Sequence, residues 1–325
     1  MAMYNDLMVR DSLSDTGQVP YQNYNEWCPD IIPKVQPLPP GTALQTLIDT
    51  YSSDIGENLE KGQINYIYLR AKNLASTLQS GSINLYYTDE STFIFPRQWK
   101  DNKIGTINVS SQPNAVAANA EPLMWTPPPE RQDGYCLIAQ VVTDNHPNPI
   151  PDFDTSDEWW AWVHGNAAIA NRNVKLVDNI PDTGTQWKLQ LLNPDPVAHT
   201  HAIEAECHNC PIGSTVSIFC PSTLPSPQID VTQTIRNSTL ANVVAMSDLP
   251  ANFLDDFVVS FQPPGDKKPI GATIIIKQYT SPLQADVNMM KDAVHAEKLL
   301  KGNVPVGMNN DLPLVYLGCF TYDIV

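Results

Sequence analysis

The stretch Ile64-Asn-Tyr-Ile-Tyr-Leu-Arg-Ala-Lys-Asn-Leu-Ala-Ser-Thr-Leu-Gln-Ser-Gly-Ser-Ile-Asn-Leu-Tyr-Tyr87 alternates with a period of two on either side of a polar bend. Ile64, Tyr66, Tyr68 and Arg70 share one side of an extended segment, and Asn65, Ile67, Leu69 and Ala71 take the other. Past the bend at Ser76–Gly81 the alternation resumes with Ile83, Leu85 and Tyr87 on one face. Two such runs predict an antiparallel strand pair in a layered β-protein and argue against an α/β enzyme fold. Twenty-nine prolines against fifteen glycines point the same way, because proline stops helices and settles at strand ends and turns.

Further runs extend the pattern. Ile104–Val109, Glu121–Trp125, Gly134–Val142 and Asn171–Val177 read as strands, the third nearly continuous in apolar character. Residues 158–170 fit either helix or strand. The segment Asp178-Asn-Ile-Pro-Asp-Thr-Gly184 breaks the series. Beyond it Trp187–Leu192, His201–Cys207, Thr215–Cys220, Phe257–Phe261, Gly271–Tyr279 and Leu314–Tyr322 form a second set of strands. One helix is expected over about 282–301: Ser281 caps, Pro282 opens, and Leu283, Val287, Met290 and Val294 share a face. Gly302, Asn303 and Pro305 supply its stop. The expectation is an all-β protein of two β-sandwiches, the first immunoglobulin-like, the second sandwich-like with one added helix. Residues 1–40 form an extended arm packing on the first domain at 41–178. A linker at 179–185 precedes the second domain at 186–325.

A net charge of −16 repels phosphate backbones and anionic bilayers, so nucleic acid and membrane surfaces are disfavoured partners. No apolar run is long enough to span a bilayer, and the N-terminal residues lack the basic start and apolar core of a cleaved signal. That reading implies a cytoplasmic protein or export by a signal-independent route. Six cysteines in 325 residues are too sparse for a disulfide framework, so reduced thiols are expected.

Two clusters carry candidate chemistry. His199-Thr-His-Ala-Ile-Glu-Ala-Glu-Cys-His-Asn-Cys210 holds imidazoles and a CxxC pair, the ligand types zinc prefers. On one strand, however, His201 and Cys207 lie about 20 Å apart, so His199, His201, Cys207 and Cys210 converge only if the chain folds back. The simpler reading is a polar strand end followed by a turn. Trp159, Trp160 and Trp162 beside Asp154 form the second cluster. They suit either a plug at the end of a sandwich or a surface on which sugar rings stack. Asp152, Asp154, Asp157 and Glu158 offer the oxygens calcium prefers, without the spacing of a calcium loop. No cofactor is expected, zinc and calcium being the alternatives weighed.

The opening Asp6–Pro20 with Pro29–Ile32, the core Tyr66–Leu74 with Gly81–Tyr87, Trp99 with Ile104-Gly105, Trp125 with its prolines, Gly134–Ala139 and Asn166–Asp178 together resemble the CARDB group. These are immunoglobulin-like bacterial modules named for cell adhesion. The resemblance spans roughly residues 5–178 and implies an accessory, surface-directed or secreted setting. It implies no catalytic residue and no ligand, and the second half of the chain carries no comparable likeness. The expected function is non-catalytic: a binding or structural protein presenting loops and strand edges to a protein partner or surface glycan. The alternatives are a secreted effector or toxin component and a carbohydrate-binding protein.

Overall fold

A computed structural model describes residues 2–21, 26–128, 134–177, 185–225, 228–265, 269–283, 287–291, 293–300, 309 and 311–324. Strand takes up about 48% of the chain and helix about 9%, so the protein is all-β. It divides into two compact units. Residues 1–89, 94–152 and 161–178 make the first, and residues 90–93, 153–160 and 179–325 the second. Two short passages of the first half of the sequence thus belong to the second unit.

The first half runs through β1 (Ala2–Met3), β2 (Leu7–Met8), β3 (Gln18–Val19) and β4 (Ile31–Lys34) into helix α1 (Ala43–Asp49). Next come β5 (Leu59–Glu60), β6 (Asn65–Asn73), β7 (Gln79–Asp89), β8 (Lys103–Ser111), β9 (Val116–Ala118) and β10 (Leu123–Trp125). β11 (Gly134–Thr143), helix α2 (Ser156–His164) and β12 (Ile169–Val177) complete it.

In the first unit β6 is the spine of one sheet, with β2, β4, β9 and β10 antiparallel along it. The facing sheet has the order β5-β12-β11-β7-β8. Ile67, Leu69 and Ala71 of β6 join Ile83, Leu85, Leu137 and Ala139 of the facing sheet in one buried cluster. The unit is therefore a β-sandwich, its halves held by apolar burial between inner faces. The other side of β6 is buried as well: Tyr66 and Tyr68 pack with Ala43 and Leu47 of α1.

Arg70, on that same side, is fully buried. Its Nε donates to Asp30 Oδ1 at 2.9 Å, and its Nη atoms donate to the carbonyls of Leu47, Pro29 and Ser53. Arg10 grips the same carboxylate through Nε at 3.0 Å and Nη2 at 2.6 Å, and its guanidinium lies 3.5 Å over the Tyr51 ring. One carboxylate thus pairs with two buried guanidiniums and fastens the N-terminal segment to β6.

Gly81 is needed for close approach rather than for its backbone angles. A Cβ there would lie 2.3 Å from the Val142 carbonyl oxygen and 2.9 Å from Thr143 Cγ2, where β7 pairs with β11. Gly81→Ala is expected to cost about 1–3 kcal/mol of stability. A lowered urea midpoint with faster exchange of the Val141–Thr143 amides would record it, and an unchanged midpoint would contradict it.

The second half supplies β13 (Thr185–Asn193), β14 (His199–His208), β15 (Thr215–Phe219), β16 (Asp230–Thr234), β17 (Leu240–Leu249) and β18 (Phe253–Gln262). After them come β19 (Ala272–Thr280), α3 (Val287–Lys291), β20 (Val294–His295), α4 (Ala296–Leu299) and β21 (Pro313–Ile324). One sheet has the order β13-β18-β15-β16 and the other β17-β14-β19-β21-β20. Leu189, Val216, Ile218, Phe257 and Val259 from the first, with Ile203, Ala205, Ile274, Ile276 and Phe320 from the second, are all fully buried. Trp187 of β13 stacks on Tyr322 of β21 at 4.4 Å, joining the two sheets directly. The second unit is a β-sandwich too.

The single helix expected over 282–301 is a point of difference. The structure has two short helices, α3 and α4, separated by β20. Val294 and His295 pair with Leu314 and Pro313 of β21, and Ala296 and Leu299 then bury against the sheet. Ladder bonding and burial override a helical periodicity that was correct only locally. The stop at Gly302–Pro305 lies outside the described residues, as does the expected linker except for Thr185, which opens β13. No helix among the described residues is long and apolar enough to cross a membrane.

Candidate functional site

β14 pairs with β17 on one side and β19 on the other, which fixes its side chains in alternating directions. His201, Ile203, Ala205 and Cys207 are fully buried on the inner face. Glu204, Glu206 and His208 take the outer face. There Glu206 accepts from His208 Nε2 and from Lys277 Nζ, each at 2.6 Å, so His208 is engaged in a surface charge cluster.

At the start of β14 a buried polar network forms. His199 Nδ1 faces the Ser281 carbonyl oxygen at 2.7 Å, while Nε2 faces Asp195 Oδ2 and, at 3.1 Å, Asn193 Oδ1. Acceptors at both nitrogens fit the imidazolium form. Burial opposes that charge, but the hydrogen bond and charge of Asp195 outweigh it and raise His199 above the ordinary histidine value. Asp195 also accepts from Ser156 N at 2.6 Å and Ser156 Oγ at 2.7 Å. Burial would raise its carboxyl, yet these donors together bring it below the ordinary value. His201 lies 4.9 Å from His199, ring to ring. Burial, reinforced by the charge of His199, pushes it down to about 3. Gln278 Nε2 donates to His201 Nδ1 at 3.2 Å, and Gln278 Oε1 accepts from Thr92 Oγ1 at 2.8 Å.

Ser156, Asp195 and His199 are the residue types of a hydrolytic triad in the wrong order. Asp195 stands between the other two, so the Ser156 hydroxyl donates its hydrogen bond to a carboxylate and not to the imidazole that would serve as base. The arrangement can tie residues 153–160 and 90–93 to the sheet. It cannot activate a nucleophile.

At the far end of β14, Cys207 and Cys210 are buried free thiols in mutual electrostatic contact, their Sγ atoms donating to the carbonyl oxygens of Ala205 at 3.6 Å and His208 at 3.5 Å. Asn209, at φ 53°, makes the turn between them. That contact raises Cys207 and lowers Cys210. His201 and Cys207, six residues apart on an unbroken strand, are separated by about 20 Å. The four metal candidates therefore fall into two pairs, one at each end. Among the described residues no group of three or more His, Cys, Asp or Glu converges on a metal position.

The tryptophan cluster turns inward. Trp159 and Trp160 are 1% and 5% exposed, and Trp159 meets Phe93 edge to face at 4.6 Å. A stacking platform for sugar rings needs an open aromatic face, which these two do not present; Trp162 is half-buried and Asp154 exposed. Apolar burial of α2 decides this. Asp152, from the acidic loop, pairs with Lys100.

The structure also shows a feature that sequence reasoning passed over. β16 and β17 end their respective sheets, and a groove of about 500 Å³ runs beside them. Leu240, Asn242, Val244 and Met246 line it from β17, Leu299 from α4, and Arg236 from the intervening turn. Arg236 is exposed and has no ion pair or hydrogen bond with a described residue. Asn242 gives its Nδ2 to Glu204, and its Oδ1 is buried with no hydrogen-bond partner. The available signal was the apolar run Val243-Val-Ala-Met246 beside an isolated arginine.

No family model and no curated protein matches the chain. Among solved structures, a red sea bream transglutaminase aligns at 10% identity over 69% of this chain and 28% of its own, with a TM-score of 0.23. The calcium-binding domain CBD12 of CALX1.1 aligns at 11% identity over 77% of this chain and 92% of its own, with a TM-score of 0.17. Likenesses this remote carry no argument, and the all-β assignment stands on the strands themselves.

Proposed function

We propose that the chain is a non-catalytic binding protein that presents strand edges to a protein partner. The observation carrying this reading is that, among the described residues, β16 and β17 each stand at the end of a sheet of the second unit, beside one groove. On the same reading the first unit serves as an immunoglobulin-like, CARDB-type accessory module, which its two packed five-stranded sheets support.

Photo-crosslinking tests the role. A benzophenone amino acid replaces Thr232 of β16 or Leu240 of β17, with the exposed Gln45 of α1 as control. One discrete protein adduct from the edge positions and none from Gln45, in the protein's native cells, is the expected result. Equal labelling at all three positions, or none at all, removes the proposal.

A further inference from the structure

We infer that the groove along β17 binds an extended peptide, which adds to the sheet as a new strand and sets one carboxylate against Arg236. The inference rests on the binding-protein reading and names its ligand. Among the described residues β17 pairs with β14 alone, so alternate N–H and C=O groups along its ten residues point away from the sheet. Donor and acceptor repeat there every second residue, a spacing that another strand matches and a compact small molecule does not.

Leu240, Asn242, Val244 and Met246 are alternate residues that line the groove from one side of β17, while Ala241 and Ala245 line it from the other. From Leu240 to Met246 the strand rises about 20 Å, the length of six or seven extended residues. Every second side chain of an added strand would face this side. Leu240 and Val244 offer it apolar contact over the buried Met246 and Leu299, whereas the orphaned Asn242 Oδ1 requires a donor such as a peptide N–H or a hydroxyl.

Charge sets the remaining feature. Arg236 lines the groove as a guanidinium with no ion pair among the described residues, on a protein of net charge −16, and its fork suits a carboxylate. The overall charge repels acidic ligands at long range, so a peptide with one acid seated at Arg236 is favoured over a polyacidic one.

A random heptapeptide library displayed on phage, selected against the full chain, supplies the probe. The expected enrichment is a consensus of alternating β-branched or aliphatic residues with one Asp or Glu at a fixed position. A synthetic peptide of that consensus should slow backbone-amide exchange within Leu240–Leu249. It should bind Arg236→Glu about tenfold or more weakly, keep most of its affinity for Arg236→Lys, and lose binding when alternate peptide nitrogens are methylated. Enrichment without an acid, equal binding to Arg236→Glu, or unprotected β17 amides would overturn the assignment. So would edge-to-edge dimerisation of the chain that protects β17 by itself. A discrete cross-link at Leu240 with no enriched peptide keeps the binding-protein reading and removes this ligand; absence of both removes the two together.

Discussion

Asp30→Ala is expected to leave the first unit unfolded or close to it at room temperature. The carboxylate takes hydrogen bonds from Arg10 and Arg70, whose side chains are 4% and 0% exposed. Removing it leaves two buried guanidinium charges without the carboxylate that pairs them. Breaking a buried pair on one side costs about 3–5 kcal/mol, and a domain of this size has only about 5–15 kcal/mol in total. The second guanidinium adds to the damage. Arg70→Met should hurt less per charge removed, since Arg10 still holds Asp30, although the carbonyls of Leu47, Pro29 and Ser53 lose their donor. Urea titration followed through amide exchange in β6 and β11 reads both variants. An Asp30→Ala protein with the parent midpoint would mean that water or a rearranged side chain replaces the carboxylate.

Acid should destabilise the second unit through His201, and alkali through His199, two histidines shifted in opposite directions. His201 is buried and neutral, held down to about 3 against an ordinary 6.5. The unfolded chain therefore takes up a proton that the fold refuses. This contribution is intact above 6.5 and is lost as pH falls toward 3, on the order of 3–5 kcal/mol in all. His199 behaves the other way. Its raised value means that its contribution is complete below 6.5 and fades as pH climbs through the folded value. Asp195, lowered, contributes fully above its ordinary 3.8 and loses this as pH drops through its folded value. Stability should thus peak near the ordinary histidine value and decline on both sides. His201→Gln is expected to flatten the acid limb, and Asp195→Asn the alkaline one. Urea midpoints from pH 3 to 9, read by exchange of the β14 amides, give the profile. An acid limb unchanged by His201→Gln would place its cause elsewhere.

The strands with one clear apolar face were legible in advance. In β6 the two sides assigned from alternation are the two buried faces, one against β7, β11 and β12 and one under α1. β17 escaped because both of its faces carry apolar residues, so no contrast marks the period. β16 escaped for the opposite reason, being exposed almost throughout. The helix misjudged at 282–301 had the right periodicity but lost to strand pairing at Val294 and His295. The network at His199 was out of reach for a different reason. Its partners Asp195 and Ser156 lie 39 residues apart in sequence, and only the fold brings them together. Residue types at the tryptophan cluster were equally compatible with an open platform and a buried plug, and burial alone separates the two.

Residues 90–93 and 153–160 group with the second unit, and this bears on how such a protein can be cut or inherited. A fragment beginning at Gln186 would carry Asp195 without Ser156, Gln278 without Thr92, and neither Phe93 nor Trp159. The carboxyl-terminal sandwich is therefore not a cassette that recombination could lift out at a single breakpoint. A transfer that kept its packing intact would have to carry residues 90–93 and 153–160 along with it.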